Sequence, residues 1–331
     1  MSMAETVLVT GANGFLGRHL VAELRQRGHS VRALLRPGTP APFPAAWNID
    51  YRPADLTQPA TLAGAADGCG AIIHAAALAQ VNPARDPAVW AANLGGTEAV
   101  LELARQTGVR RLVYVGTANV FGFGPKANPG DETRPYAGQR YGLDYMDSKR
   151  AATDLVLRAV AQEQLPAVLM HPTFMLGPQD IKPTSNALLL ELWRGRLPGY
   201  PPGGKNYVHV RDVATATVNA LTQGRVGESY ILGNENLSYR EAFELLAGVL
   251  GVRPPRWPIP AGLAVLYGQV CDVKARFSGR PAQLNSAMAA VANDGHYFNV
   301  QKARQALALP QTPIGQAVAE AFDWFKTNHY V

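Results

Sequence analysis

The segment Thr10-Gly11-Ala12-Asn13-Gly14-Phe15-Leu16-Gly17 follows the apolar run Val7-Leu8-Val9 and opens an amphipathic stretch. Three glycines therefore stand where a first strand turns into a first helix. In that context each meets a separate physical need. Gly11 permits the tight turn, Gly14 lets backbone N–H groups approach a pyrophosphate, and Gly17 lets the helix pack closely on the strand. The helix N-terminus adds partial positive charge. The feature predicts a dinucleotide-binding βα turn and confines the first half of the chain to an α/β architecture.

The rest of that half agrees. Short apolar runs at Val31–Leu35, Ile49–Tyr51, Ala71–His74, Leu112–Val115 and Ala167–Met170 alternate with helical segments, the longest near Val89–Gln106 and Tyr145–Gln164. Continuous apolar strands separated by helices mean a parallel sheet covered on both faces, hence a doubly wound α/β (Rossmann) fold. Prolines 172, 178, 183, 198, 201 and 202 then break regular structure. Tyr207–Val210 and Val213–Leu221 are expected to return to the sheet, and Ser229–Leu232 to add a strand. From Ser238 onward the pattern is mainly helical. The expected division is a dinucleotide-binding domain of residues 1–171 plus about 205–234, and a smaller, mainly helical substrate lobe of about 172–204 plus 235–331.

Composition excludes several classes. Among 331 residues, 31 Lys and Arg against 25 Asp and Glu give a net charge of +6, without any basic run. That favours a small anionic ligand over nucleic acid. Cys69 and Cys271 form no metal or disulfide spacing and read as buried small apolar residues, and no metal site is expected. No secretory pattern precedes Glu5 and no apolar run reaches the ~20 residues of a membrane span, so a cytoplasmic location is expected. Ile259–Tyr267 is apolar but short; it reads as a core helix, with weak peripheral attachment to a membrane surface as the alternative.

Tyr145 and Lys149 lie one helical turn apart on the helix after the fifth strand. A phenol is a poor base at neutral pH, and a neighbouring ammonium is expected to lower its pKa, which makes the pair an acid/base unit. After the second strand Arg32 and Arg36 appear, with no acid between Val31 and Asp50. An acid there reads ribose hydroxyls and an arginine receives a 2′-phosphate, so NADP is favoured over NAD, with Arg36 as the contact and Arg18 as a second candidate. His74, His171 and His209 read as packed, hydrogen-bonded residues.

These motifs, with Asp55-Leu56, His74-Ala75-Ala76, Asn93–Thr97, Val113–Gly122 and Tyr207–Val213, resemble the extended short-chain dehydrogenases/reductases, the NAD-dependent epimerase/dehydratase superfamily. His171–Thr184 and Ile231–Leu237 look closest to hopanoid-associated sugar epimerase-like proteins, themselves similar to dihydroflavonol reductases. The resemblance implies catalytic roles for Thr117, Tyr145 and Lys149, with Asn93 holding the helix and a structural water. It implies cofactor contacts from Gly11, Asn13, Gly14, Phe15, Leu16, Gly17, Asp55, Leu56, Ala75, Ala76 and Pro172 besides Tyr145 and Lys149. Gly116-Thr117 departs from the family's usual Ser-Ser. Thr173, Asn186, Lys205 and Arg211 are candidate substrate contacts; Lys205, Arg194, Arg196 and Arg211 are candidates to line a pocket for an anion, and Met175, Leu176, Trp193 and Tyr200 are the alternative, an apolar pocket. Lys205 stands where many nucleotide-sugar epimerases carry an Arg, and the later basic element is only Gly279-Arg280-Pro281. A homodimer through the two long helices is implied. A sugar epimerase-like enzyme is the first expectation, a ketone or aldehyde reductase using NADPH the second, and a non-catalytic dinucleotide sensor the third.

Overall fold

A computed structural model describes residues 4–278 and 285–331. In chain order the elements are β1 (Thr6–Thr10), α1 (Phe15–Gln26), β2 (Ser30–Leu35), β3 (Asp50–Pro53), β4 (Ala71–His74), α2 (Pro87–Trp90), α3 (Gly96–Thr107), β5 (Arg111–Val115), α4 (Asp144–Glu163), β6 (Ala167–Pro172) and β7 (Phe174–Leu176). There follow α5 (Ala187–Trp193), β8 (Gly204–His209), α6 (Val210–Asn219), β9 (Ser229–Leu232), β10 (Glu235–Ser238), α7 (Tyr239–Leu250), α8 (Ala261–Ser278), α9 (Ser286–Asn293), β11 (Gly295–His296), α10 (Gln301–Leu307) and α11 (Ile314–Thr327).

The large sheet is parallel throughout, with order β3-β2-β1-β4-β5-β6-β9. Its inner strands are buried on both faces, as their unbroken apolar runs require: Val7, Leu8 and Val9 of β1 and Ile72 and Ile73 of β4 have no exposed surface. Alternate side chains divide between two cores. Val7, Val9 and Ile73 face α1 and α6, while Leu8, Ile72 and Leu112 face α3 and α4. Strand order reverses between β1 and β4, and the carboxyl ends of such strands open the crevice in which ligands of doubly wound sheets bind.

The expectation that Tyr207–Val210 rejoins this sheet is overturned. β8 instead centres a second, smaller sheet, pairing with β7 in parallel and β10 antiparallel, with β11 alongside. The place beside β6 is taken by β9, which supplies the apolar Tyr230, Ile231 and Leu232 that this edge of the core needs. α6 still packs on α1, so the chain crosses between the two sheets at His209, whose Nδ1 caps α6 by accepting from Arg211 N at 3.0 Å.

The segment 259–267 also departs from expectation. α8 packs through one face on α9, while Leu263, Leu266 and Tyr267 are exposed. Cys271, on the same helix, is only partly buried, whereas Cys69 is buried. Apolarity alone marks a face that gains by leaving water; it does not say that another element covers it.

Candidate active site

At the βα turn, Gly11 has φ +69°, and a Cβ there would fall 2.7 Å from the backbone of Ala76. A Cβ on Gly17 would lie 2.0 Å from the Gly11 carbonyl oxygen. The two positions thus require glycine for backbone approach, one across to the loop after β4 and one down onto the turn. Gly14 is the N-cap of α1, no side chain caps that end, and the first turn carries no acid. Uncapped N–H groups with no carboxylate beside them suit a pyrophosphate, so the residues present fit a dinucleotide.

At the edge of the sheet, Arg36 and Asp55 line one shallow pocket with Gly38, Thr39 and Gln58. Arg32 is committed elsewhere, donating to Asp50 Oδ2 at 2.6 Å and to the carbonyls of Ala65 and Asp67. Arg18 lies against the ring of Phe43 and donates to the carbonyls of Asn13 and Pro42. Asp55 Oδ1 accepts from Thr57 N and Oγ1, which together with Arg36 hold its carboxyl below the usual range. Ala76 N donates to Thr10 Oγ1, Leu56 packs under Gly96, and Pro172 ends β6 opposite Leu232.

The crevice continues to the start of α4. Thr117 caps the turn after β5, its hydroxyl accepting from Asn119 N at 3.4 Å, and the same hydroxyl favours the ionised form of the Tyr145 phenol. Burial raises the phenol's pKa and Thr117 opposes that shift in part. No lowering by Lys149 accompanies this shift; desolvation, which disfavours the phenolate, is its main cause. Lys149 is 2% exposed, donates from Nζ to the Val115 carbonyl at 2.7 Å and sits over the Tyr114 ring; burial lowers its pKa to about 7. Asn93, on the distorted turn before α3, holds Leu78 through both backbone groups and donates to Ser148 Oγ at 3.0 Å. It fixes α4 between Tyr145 and Lys149 and is a positioning residue by its contacts.

The departure at Gly116 has a steric cause. A Cβ at that position would meet His171 Nδ1 at 2.5 Å. His171 is fully buried, with Nδ1 3.3 Å from the Thr117 carbonyl and Nε2 3.1 Å from Ser229 Oγ. His74 is likewise held between Thr10 Oγ1 and Thr97 Oγ1, and His209 between Arg211 N and Glu320.

Most of the candidate substrate residues have partners within the protein. Asn186 is fully buried and spends its amide on Gly177 and Asp180, so it organises the loop before α5 instead of facing a ligand. The Thr173 hydroxyl donates to Asn206 Oδ1 at 2.9 Å. Arg211 pairs with Glu320, and Arg194 and Arg196 pair with Glu191. Of these four basic side chains, only Lys205 has no carboxylate partner among the described residues. Its ammonium lies 4.5 Å from the centre of the Phe174 ring, and burial lowers its pKa to about 8. Gly279-Arg280-Pro281 lies outside the described residues.

Sequence reasoning missed a wall delivered from far along the chain. His296 stacks on Phe123 at 4.1 Å and hydrogen-bonds Asn119 Oδ1 and the Tyr141 hydroxyl. Phe123 and Tyr145 share an apolar cluster with Tyr141, Met146, Ala287 and Val291. No local motif announces these residues; only the seating of α9 and β11 beside α4 assembles them.

Comparison with known proteins agrees with this geometry. The sequence model of the NAD dependent epimerase/dehydratase family matches residues 7–233. A Synechocystis protein named "Putative dihydroflavonol 4-reductase" is 31% identical over 100% of this chain and 97% of its own length. Sterol demethylase protein B of Methylococcus capsulatus is 28% identical, covering 97% of this chain and 98% of its own. The crystal structure of a nucleoside-diphosphate-sugar epimerase from Pseudomonas aeruginosa superposes with a TM-score of 0.82 at 26% identity, over 99% of each chain.

Proposed function

Because the chain belongs to the NAD dependent epimerase/dehydratase family, we propose that it is an oxidoreductase that interconverts a ketone and a secondary alcohol on a substrate with an apolar body, using NADP(H). The observation that carries this reading is the Tyr145 phenol, one turn from Lys149 on α4 and set in a cluster with Phe123, Tyr141 and Met146. A bound nicotinamide dinucleotide supplies the hydride. Thr117 holds the substrate oxygen, and Tyr145, a phenol whose burial favours the protonated form, gives that oxygen its proton as the carbon is reduced. Lys149, fixed by the Val115 carbonyl, supplies positive charge for the phenolate left behind. Ketone, hydride and proton together make the alcohol. In this reading the large sheet holds the dinucleotide, with Arg36 on the 2′-phosphate, and segments 172–204 and 235–331 build the substrate side.

A sugar epimerase is the second reading. Lys205, a half-buried ammonium without a carboxylate partner among the described residues, favours it as a receptor for an anionic group. Names among the relatives support both: a dihydroflavonol 4-reductase on one side and a nucleoside-diphosphate-sugar epimerase on the other. Assembly as a homodimer through α3 and α4 belongs to either reading, and light scattering tests it.

The deciding experiment incubates the purified protein with NADPH and a panel of cyclic ketones, after identifying any dinucleotide released on denaturation. Stoichiometric NADPH oxidation, lost by about 100-fold or more in Y145F while NADP⁺ still binds, is expected. Firmly retained NAD⁺, with no net cofactor turnover and inversion of a nucleotide-sugar centre, would replace this reading with the epimerase.

A further inference from the structure

One face of α8 is apolar and bare. Leu263, Leu266, Tyr267, Val270, Val273 and Phe277 are each between 51% and 89% exposed. At 3.6 residues per turn they fall within an arc of about 120°, forming one stripe along a helix of about 27 Å. The opposite face is taken: Gly268 approaches the Ser286 backbone, and Asp272 Oδ2 accepts from Ser286 Oγ at 2.6 Å. Single exposed apolar side chains are ordinary, but a continuous row of six is a surface that calls for cover. Trp257, in the segment leading into α8, is 72% exposed as well.

The charge around the stripe says what kind of cover. Between residues 253 and 275 three basic residues, Arg253, Arg256 and Lys274, stand against one acid, Asp272. Arg253, Arg256 and Lys274 are exposed and have no carboxylate partner among the described residues, while Asp272 is turned toward α9. A second copy of this face would bring like charges together. A surface of phosphate headgroups over hydrocarbon matches both the apolar stripe and the sign of the charge. No described helix is long and apolar enough to cross a membrane, which leaves α8 the geometry of a helix lying in the interface.

We propose that the outer face of α8 docks on an anionic lipid bilayer, its apolar stripe entering the headgroup boundary and its flanking basic residues meeting lipid phosphates. The inner partner α9 contributes Ala287 and Val291 to the cluster that contains Tyr145. Docking therefore sets the bilayer beside the candidate cleft. This inference stands on the surface alone and does not depend on which reaction the cleft performs.

The test is cosedimentation of the full chain with vesicles of phosphatidylcholine, with and without phosphatidylglycerol. The protein is expected to pellet with the anionic vesicles, and less so as salt rises. L266E/V270E is expected to lower partitioning about tenfold or more, and R256E/K274E by about fivefold per charge reversed, with the melting temperature and NADP⁺ binding of both variants unchanged. Failure of the parent chain to pellet with anionic vesicles at low salt would overturn the proposal, as would pelleting of both variants equal to that of the parent. A lipid-free dimer that L266E/V270E turns into a monomer would assign the face to a second copy instead.

Discussion

Gly116 and His171 form a pair that neither residue explains alone. The buried imidazole occupies the space that a side chain at 116 would need, 2.5 Å from an ideal Cβ. The loss of a second hydroxyl beside Thr117 is thus coupled to a histidine 55 positions away, and the site keeps one hydroxyl on the Tyr145 phenol. G116S is expected to cost about 1–3 kcal/mol by overpacking, read as a lower urea midpoint. In an H171A background the same substitution is expected to cost distinctly less, because the colliding ring is gone. Equal penalties in the two backgrounds would show that the ring is not the cause. The Gly17 requirement, by contrast, arises within the turn itself, against the Gly11 carbonyl, and was readable from spacing, as was the positive φ of Gly11; the approach of Gly11 to Ala76 was not.

At the level of elements, the end of β2 is where the proposed preference for NADP can be tested. Arg32 points into the Asp50 ion pair, leaving Arg36 as the basic side chain of β2's end that faces open space beside Asp55. R36E is expected to weaken NADP⁺ binding about tenfold or more by losing a charge-assisted contact, and to alter NAD⁺ binding much less. Calorimetric titration of both dinucleotides checks this; equal losses would remove Arg36 from the 2′-phosphate. α8 gives the complementary lesson. Its apolar residues were visible in the sequence and suggested a core helix, yet the stripe from Leu263 to Phe277 faces outward. Apolar residues run around that helix, and its main neighbour among the described residues, α9, covers one face of it.

Across the whole molecule, burial controls protonation. His74, His171 and His296 are held to about 3 from an ordinary 6.5, first by desolvation and then by nearby cations, Lys149 for the first two and Lys205 for the third. Their contribution to stability is complete above pH 6.5 and is lost as pH falls toward 3, because only the unfolded chain takes up the protons. In urea titrations from pH 7.5 to 5, the parent chain is expected to lose stability relative to H74N by at most about 1.4 kcal/mol per pH unit below 6.5. A constant difference would mean that His74 titrates alike in both states. The sequence alone determined the parallel sheet, the glycine turn and the Tyr145–Lys149 spacing on α4, because strand burial, turn geometry and helical period act over a few residues. Tertiary structure decided the seat of β8 in a second sheet, the commitment of Asn186, Arg211 and Thr173 to internal partners, the His296 wall and the bare face of α8. Each of these depends on which distant segment arrives to pair, pack or leave a surface open, and no local period encodes that.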